Sequence, residues 1–373
     1  MRNSVLSITL AAITLSYSCA QSTENKVDTP VNTPYSAELM IDELQTPWGF
    51  VFLGKNELLI TEKSGELIHY KDGNKTKVKN VPEVYARGQG GLLDIELHPD
   101  FKNNGWIYIS YASQEGEGKG GHTALMRCKL KDNSLSHKEL LYKASPNTTK
   151  GQHFGSRIEF DNDGYLYLSI GERGARDENP QDITRDGGKI YRFYDDGRIP
   201  EDNPFTGKKN AKTAIYSYGH RNPQGLAIHP ETGEIWENEH GPRGGDEINI
   251  IKAGANYGWP LVTYGINYSG TSITDKTEME GMTQPIHYWV PSIAPSGMAF
   301  VTTDTYKGWK GSILIGSLKF QYMERLQMEG DKVVKREKLL SDLGRVRDIK
   351  EGPDGLIYVA VEGKGIYKLV SSP

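Results

Sequence analysis

The chain has 373 residues, 36% hydrophobic and 25% charged, with 42 glycines and 21 tyrosines. That mixture fits many short strands joined by tight turns and excludes a helical bundle. A formal net charge of −4 excludes the basic surface that a nucleic-acid groove needs, and beyond the first residues no apolar run approaches a membrane span.

At the N-terminus, Arg2 precedes an apolar stretch from Val5 to Leu15, the layout of an export signal. Leu15-Ser16-Tyr17-Ser18-Cys19 resembles a bacterial lipobox; Tyr17 is unusual there, which leaves plain signal-peptidase cleavage open. Residues 1–19 therefore read as a signal peptide, 20–35 as a flexible linker rich in Thr, Asn and Pro, and 36–373 as one folded domain. The expected location is the periplasm or the outer membrane, with membrane contact only through a lipid on Cys19. Once Cys19 carries lipid, Cys128 is the remaining thiol and no internal disulfide can form.

From Trp48 onward one phrase recurs six times: an inner strand, a turn, an apolar central strand and a third strand. The first copy runs through Glu57-Leu58-Leu59-Ile60-Thr61, the second through Trp106-Ile107-Tyr108-Ile109-Ser110, and the third through Tyr165 to Ile170. Leu226 to Ile228 with Glu234 to Trp236 forms the fourth, Ser312 to Gly316 anchors the fifth, and Leu356 to Ala360 the sixth. Such a unit cannot bury both faces alone, so the copies must stack. Radial stacking gives a six-bladed β-propeller of roughly 55 residues per blade, with a β-sandwich as the alternative. The last copy shows only three strands, and Ser36 to Leu44 is a strand without a blade. The expected all-β ring is therefore closed by that N-terminal strand.

In a propeller the segments entering the innermost strands meet at one mouth of the central channel. Those segments carry Arg87 and Gln89, Gln152 and His153, Arg221 and Asn222, Ser292 and Ser296, and Arg345 and Arg347; after central strands come Glu172-Arg173, Gly241-Pro242 and Lys319. Several cationic groups, amides, one histidine and a carboxylate at one mouth describe a polyanion site with one base.

The motifs GQGGLLDIELHPDF, QHFGSRIEF, LYLSIGERG, SYGHRNPQGLAIHP, HGPRGGDEIN, NYGWP, PSGMAF, GSLKFQ and GRVRDIKEGPDG resemble the PQQ-dependent aldose sugar dehydrogenases and soluble glucose dehydrogenases, in order from Pro47 to Leu369. The resemblance implies oxidation of an aldose to its lactone, with PQQ and Ca2+ as cofactors and an unidentified electron acceptor. It implies that His153 is the catalytic base, oriented by Glu172 where the soluble glucose dehydrogenases have Asp, and that Arg221 stabilises the quinone oxygen. It further implies that Gln89, Arg221, Asn222, Lys319, Arg345 and Arg347 hold PQQ, with His153 beside it. Gly241 and Pro242 match carbonyl ligands of a calcium ion, and Glu247 and Tyr257 resemble ligands of a second. Gln152 departs from the Asp of the soluble glucose dehydrogenases, so substrate preference does not carry over. Two other readings compete: a calcium-dependent lactonase-type propeller hydrolase, for which the mouth is too basic, and a non-catalytic binding module, which predicts missing base or clamp residues.

Overall fold

The structure, a computed structural model, describes residues 34–371. The expected signal peptide, Cys19 and nearly all of the linker lie outside the described residues. Within them are six four-stranded antiparallel sheets, and the inner strands of successive sheets touch around a closed ring. The blades span 47–77, 92–143, 158–218, 223–289, 295–339 and 346–371. The sixth has three strands of its own; its fourth is Tyr35–Ile41, antiparallel to Gly365–Ser371, with Leu39 opposite Tyr367. The strand expected to close the ring does so.

Each of the first five blades also carries a fourth, outer strand that the three-strand phrase did not include. Asn74–Lys77 shows why: its four side chains are all exposed, so it has no apolar alternation to reveal it. This strand belongs to the ladder by backbone pairing, not by burial.

The apolar cores lie between blades, not within them. Val51 and Leu59 of the first blade pack with Ile95 and Ile107 of the second, and the last seam joins Phe50 and Ile60 to Tyr358 and Ile366. A fully buried aliphatic side chain contributes about 1.5–3 kcal/mol, and here that gain exists only once two blades meet. The seam between blades three and four is the leanest, built on Tyr167, Ile190, Leu226, Ile235, Ile251 and Tyr257.

One ion cluster spans the channel. Arg157, on the segment entering the third blade, reaches Asp94 of the second and Asp348 of the sixth, both at 3.0 Å. Its Nε donates to the Gln224 carbonyl of the fourth blade at 3.0 Å, and its guanidinium lies 4.3 Å over the Trp48 ring of the first. A single buried side chain thus ties five blades together and stoppers the hole.

Candidate active site

On one side of that stopper lies a cavity of about 690 Å³. Of the residues singled out from sequence, Gln89, Lys319, Arg345 and Arg347 line it. Gly241 and Pro242 line an adjoining cavity of about 370 Å³, which shares His240, Ala294 and Lys319 with the first. The segments before inner strands and after central strands therefore converge as the propeller geometry requires.

His153 stands at the edge of this space, its backbone N–H donating to Gln89 Oε1 at 2.8 Å. Its φ is +57°, and so is that of Arg173. Left-handed backbone at a non-glycine residue costs of order 1–3 kcal/mol and persists where surroundings enforce it. Those surroundings are visible. Arg173 is buried; it donates to the carbonyls of Gln152, Gly121 and Lys150, the last two at 3.2 and 2.7 Å, and covers the Phe154 ring. It is a positioning residue that fixes the loop on which His153 stands. Gly171 allows the two loops to meet, because a Cβ there would lie 2.4 Å from the His153 carbonyl.

Glu172 accepts a hydrogen bond from His153 Nδ1. A carboxylate only accepts, so Nδ1 carries the proton and Nε2 is left as the basic nitrogen. Glu172 is 2% exposed, and its second oxygen has no partner. Burial pulls the pKa of His153 below the usual histidine range; Arg221 and Arg173 push the same way, and the Glu172 bond opposes them. The imidazole is therefore neutral and able to take a proton at neutral pH.

Arg221 and Asn222 form a turn held from behind by Glu239, whose carboxylate accepts the backbone N–H of Arg221 and, at 3.2 Å, that of Asn222. The Arg221 guanidinium donates to the carbonyls of His240 and Gly241, at 2.9 and 2.6 Å. Asn222 is fully buried, and its Oδ1 accepts from Gly155 N–H at 3.2 Å, while its Nδ2 donor has no partner. The turn carrying Gly241 and Pro242 is pinned by Asp246, which accepts Gly241 N–H at 2.8 Å, and by Ser292, which donates to the Pro242 carbonyl at 3.2 Å.

Arg345 and Arg347 share one carboxylate, Glu362, which accepts from Arg345 Nε at 2.6 Å and from Arg347 Nε at 3.0 Å. Glu362 was not among the sequence-derived candidates. It directly follows the central strand Ile357–Val361, much as Glu172 comes one residue further on after Leu166–Ile170. Applying that rule to the sixth blade finds it. Trp48, Lys63 and Gln224 also line the cavity without having been singled out.

Glu247 and Tyr257 come together behind the Gly241 turn, around a space of about 10 Å³ that Glu239 and Arg221 also line. The Tyr257 hydroxyl donates to the Ile250 carbonyl at 2.6 Å and accepts Lys252 N–H at 2.9 Å, so what it can offer an ion is its backbone carbonyl.

A six-bladed ring with a carboxylate-backed histidine and a cationic cavity at one mouth is the build of an enzyme that acts beside an anionic ligand. Residues 44–368 match the Glucose / Sorbosone dehydrogenase family. The chain belongs to that family and is an oxidoreductase of the sugar-dehydrogenase kind. It is 43% identical over 346 residues to aldose sugar dehydrogenase YliI of Escherichia coli, covering 91% of this chain and 93% of that protein. Its fold is similar to the crystal structure of the soluble aldose sugar dehydrogenase from Escherichia coli in the apo-form, with TM-score 0.87 and 39% identity over 90% of this chain and 99% of that one. It is also similar to the PQQ-bound form of an aldose sugar dehydrogenase from Streptomyces coelicolor, with TM-score 0.73 and 26% identity over 91% and 99% of the two chains.

Proposed function

We propose that this protein oxidises aldose sugars at the anomeric carbon, using PQQ in the larger cavity and a calcium ion on the carbonyls of Gly241 and Pro242. The observation that carries the reading is the pair of buried Glu172 and half-buried His153 standing beside Gln89 at the edge of the cationic cavity. The Streptomyces relative, whose structure is described as PQQ-bound, supports the cofactor.

The residues fit a quinone bearing carboxylates. Arg345 and Arg347 are planar forks suited to bidentate carboxylate contact, and Lys319 makes no ion pair among the described residues. Asn222 Nδ2 is a buried donor with no partner, the kind of group a ligand oxygen satisfies. When bound, PQQ supplies the hydride acceptor and calcium a Lewis acid beside it.

This chain's own part is acid–base and positional. His153 Nε2 takes the proton of the anomeric hydroxyl. Glu172, on Nδ1, holds the tautomer and stabilises the imidazolium that forms. Arg221 presents fixed positive charge toward developing negative charge, and Glu362 sets the orientation of the Arg345 and Arg347 forks. A second calcium is proposed on Glu247 and the Tyr257 carbonyl. The protein is proposed to be exported and lipidated at Cys19; mass spectrometry of the processed N-terminus checks this, and a chain starting at Ala20 or Gln21 without lipid removes the anchor.

The test is reconstitution. Apoprotein given PQQ and calcium should oxidise aldoses with an artificial electron acceptor and should lose turnover when either is withheld. No turnover across a panel of aldoses with both present overturns the reading.

A further inference from the structure

Blade three carries a buried amine that the proton-transfer reading does not use. Lys189 opens the third strand of that blade, opposite Ile170 at the end of the central strand, and is fully buried. Among the described residues no carboxylate pairs with it. Asp186, whose charge reaches it, is held by Lys212 at 2.9 Å and by the Tyr142 and Tyr191 hydroxyls at 2.5 and 2.6 Å. Lys189 Nζ donates to two carbonyls, that of Asn179 at 2.5 Å and that of Gly187 at 2.7 Å. Burial pulls its pKa down to about 7 from the usual 10.5; Asp186 and Asp182 oppose the fall and Arg185 assists it. An amine keeps two N–H donors even when neutral, so both bonds hold in either state. Burying it costs free energy that an apolar chain of the same length does not.

Both carbonyls belong to the loop 171–188, which carries Glu172 and Arg173. Asn179, also buried, stands midway: its carbonyl accepts from Lys189, and its Nδ2 donates to the Glu172 carbonyl at 3.1 Å. Arg185 steadies its Oδ1 at 2.9 Å. The bonds thus run from the end of the loop through its middle to its start. The loop also shelves the neighbouring turn. Gly219 N–H donates to the Pro180 carbonyl at 3.0 Å, His220 N–H to that of Gly188 at 3.2 Å, and Glu172 N–H to that of Arg221 at 2.8 Å.

We propose that Lys189, acting through Asn179, is the positioning residue that aims Glu172 at His153 Nδ1. Among the described residues the Glu172 carboxylate has one hydrogen-bond partner, His153, and its second oxygen has none. Side-chain contacts behind it therefore do not set its direction. Its backbone does, and that backbone is what Lys189 and Asn179 hold. The inference rests on the reading of His153 as the base.

The experiment reads the His153 imidazole in PQQ-free protein by nitrogen NMR at neutral pH, its signals identified by their loss in His153→Gln. Wild type should carry the proton on Nδ1. Lys189→Met keeps the length and removes the donor, and the form with the proton on Nε2 should then appear. Asn179→Leu keeps the volume and removes the last link, so it should do the same even if Lys189→Met folds poorly. After reconstitution each variant should reduce PQQ about tenfold more slowly in a single turnover, with PQQ affinity within a few-fold of wild type, because Arg345, Arg347 and Lys319 are untouched. In a Glu172→Gln background Lys189→Met should cost less than about twofold, since coupled residues are not additive. Variants that keep the wild-type tautomer, or full additivity with Glu172→Gln, overturn the proposal, and so does a rate that falls only in step with PQQ affinity. The NMR needs no turnover, so a protein that oxidises no aldose fails the sugar reading while the tautomer still decides the role of Lys189.

Discussion

Glu172→Gln is the substitution that most sharply examines the proton-transfer role. Gln keeps the shape, and its carbonyl can still accept from His153 Nδ1, so the loop geometry survives while the charge goes. A charge-assisted hydrogen bond is worth about 1.5–3 kcal/mol against about 0.5–1.5 for a neutral one. The difference, of order 1–1.5 kcal/mol, is roughly tenfold in rate. If the amide turns its NH2 toward Nδ1, the proton moves to Nε2 and the loss grows toward the 10²–10⁴ expected for removing a general base. The pH dependence has a fixed sign. Glu172 is what opposes burial, Arg221 and Arg173 at His153, so without it the His153 pKa falls further and the acid limb of the rate moves to lower pH. Single-turnover reduction of bound PQQ, normalised to bound PQQ and followed from neutral to acid pH, measures both quantities. A rate within a few-fold of wild type with an unmoved limb refutes the reasoning, and so does a His153→Gln enzyme that retains its rate.

Arg345→Ala should weaken PQQ binding by about ten- to a hundredfold, the equivalent of about 1.5–3 kcal/mol for a charge-assisted bond; an unchanged PQQ titration removes Arg345 from the site. Arg157→Ala leaves Asp94 and Asp348 buried without their partner and should cost about 3–5 kcal/mol in urea unfolding; a loss below 1 kcal/mol ends its role as hub. His287 has a buried, unpartnered Nε2, and burial, helped by Arg336, drops its pKa to about 3 from the usual 6.5. Between those values the unfolded chain binds the proton and the folded one does not, so stability falls as pH falls, by about 1.4 kcal/mol per pH unit. His287→Phe should remove that share of the acid slope while leaving neutral-pH stability unchanged or higher; urea unfolding at a series of pH values that gives an unaltered slope contradicts it.

The inner and central strands were legible because they are buried on both faces, as in the unbroken burial of Leu166–Ile170 and Ile357–Val361. The outer strand of the first blade was not, since Asn74–Lys77 exposes every side chain. Mouth residues were legible from their place relative to a strand, whereas the pairing of His153 with Glu172 came from the resemblance to the sugar dehydrogenases. Arg157 escaped for a different reason. It sits beside a strand, where alternation tells in from out but not what waits across a channel. Its partners lie 63 and 191 residues away, and no local pattern reports such a distance.

The stopper at Arg157 also governs traffic. The cavities on its two sides, of about 690 and 290 Å³, share no lining residue, so the ring encloses a blind well, not a tube. On the proposed chemistry, whatever meets His153 enters and leaves over one rim. Sugar, lactone and electron acceptor must then take turns, and visitors who share a door give ping-pong kinetics: reciprocal plots at different acceptor concentrations run parallel.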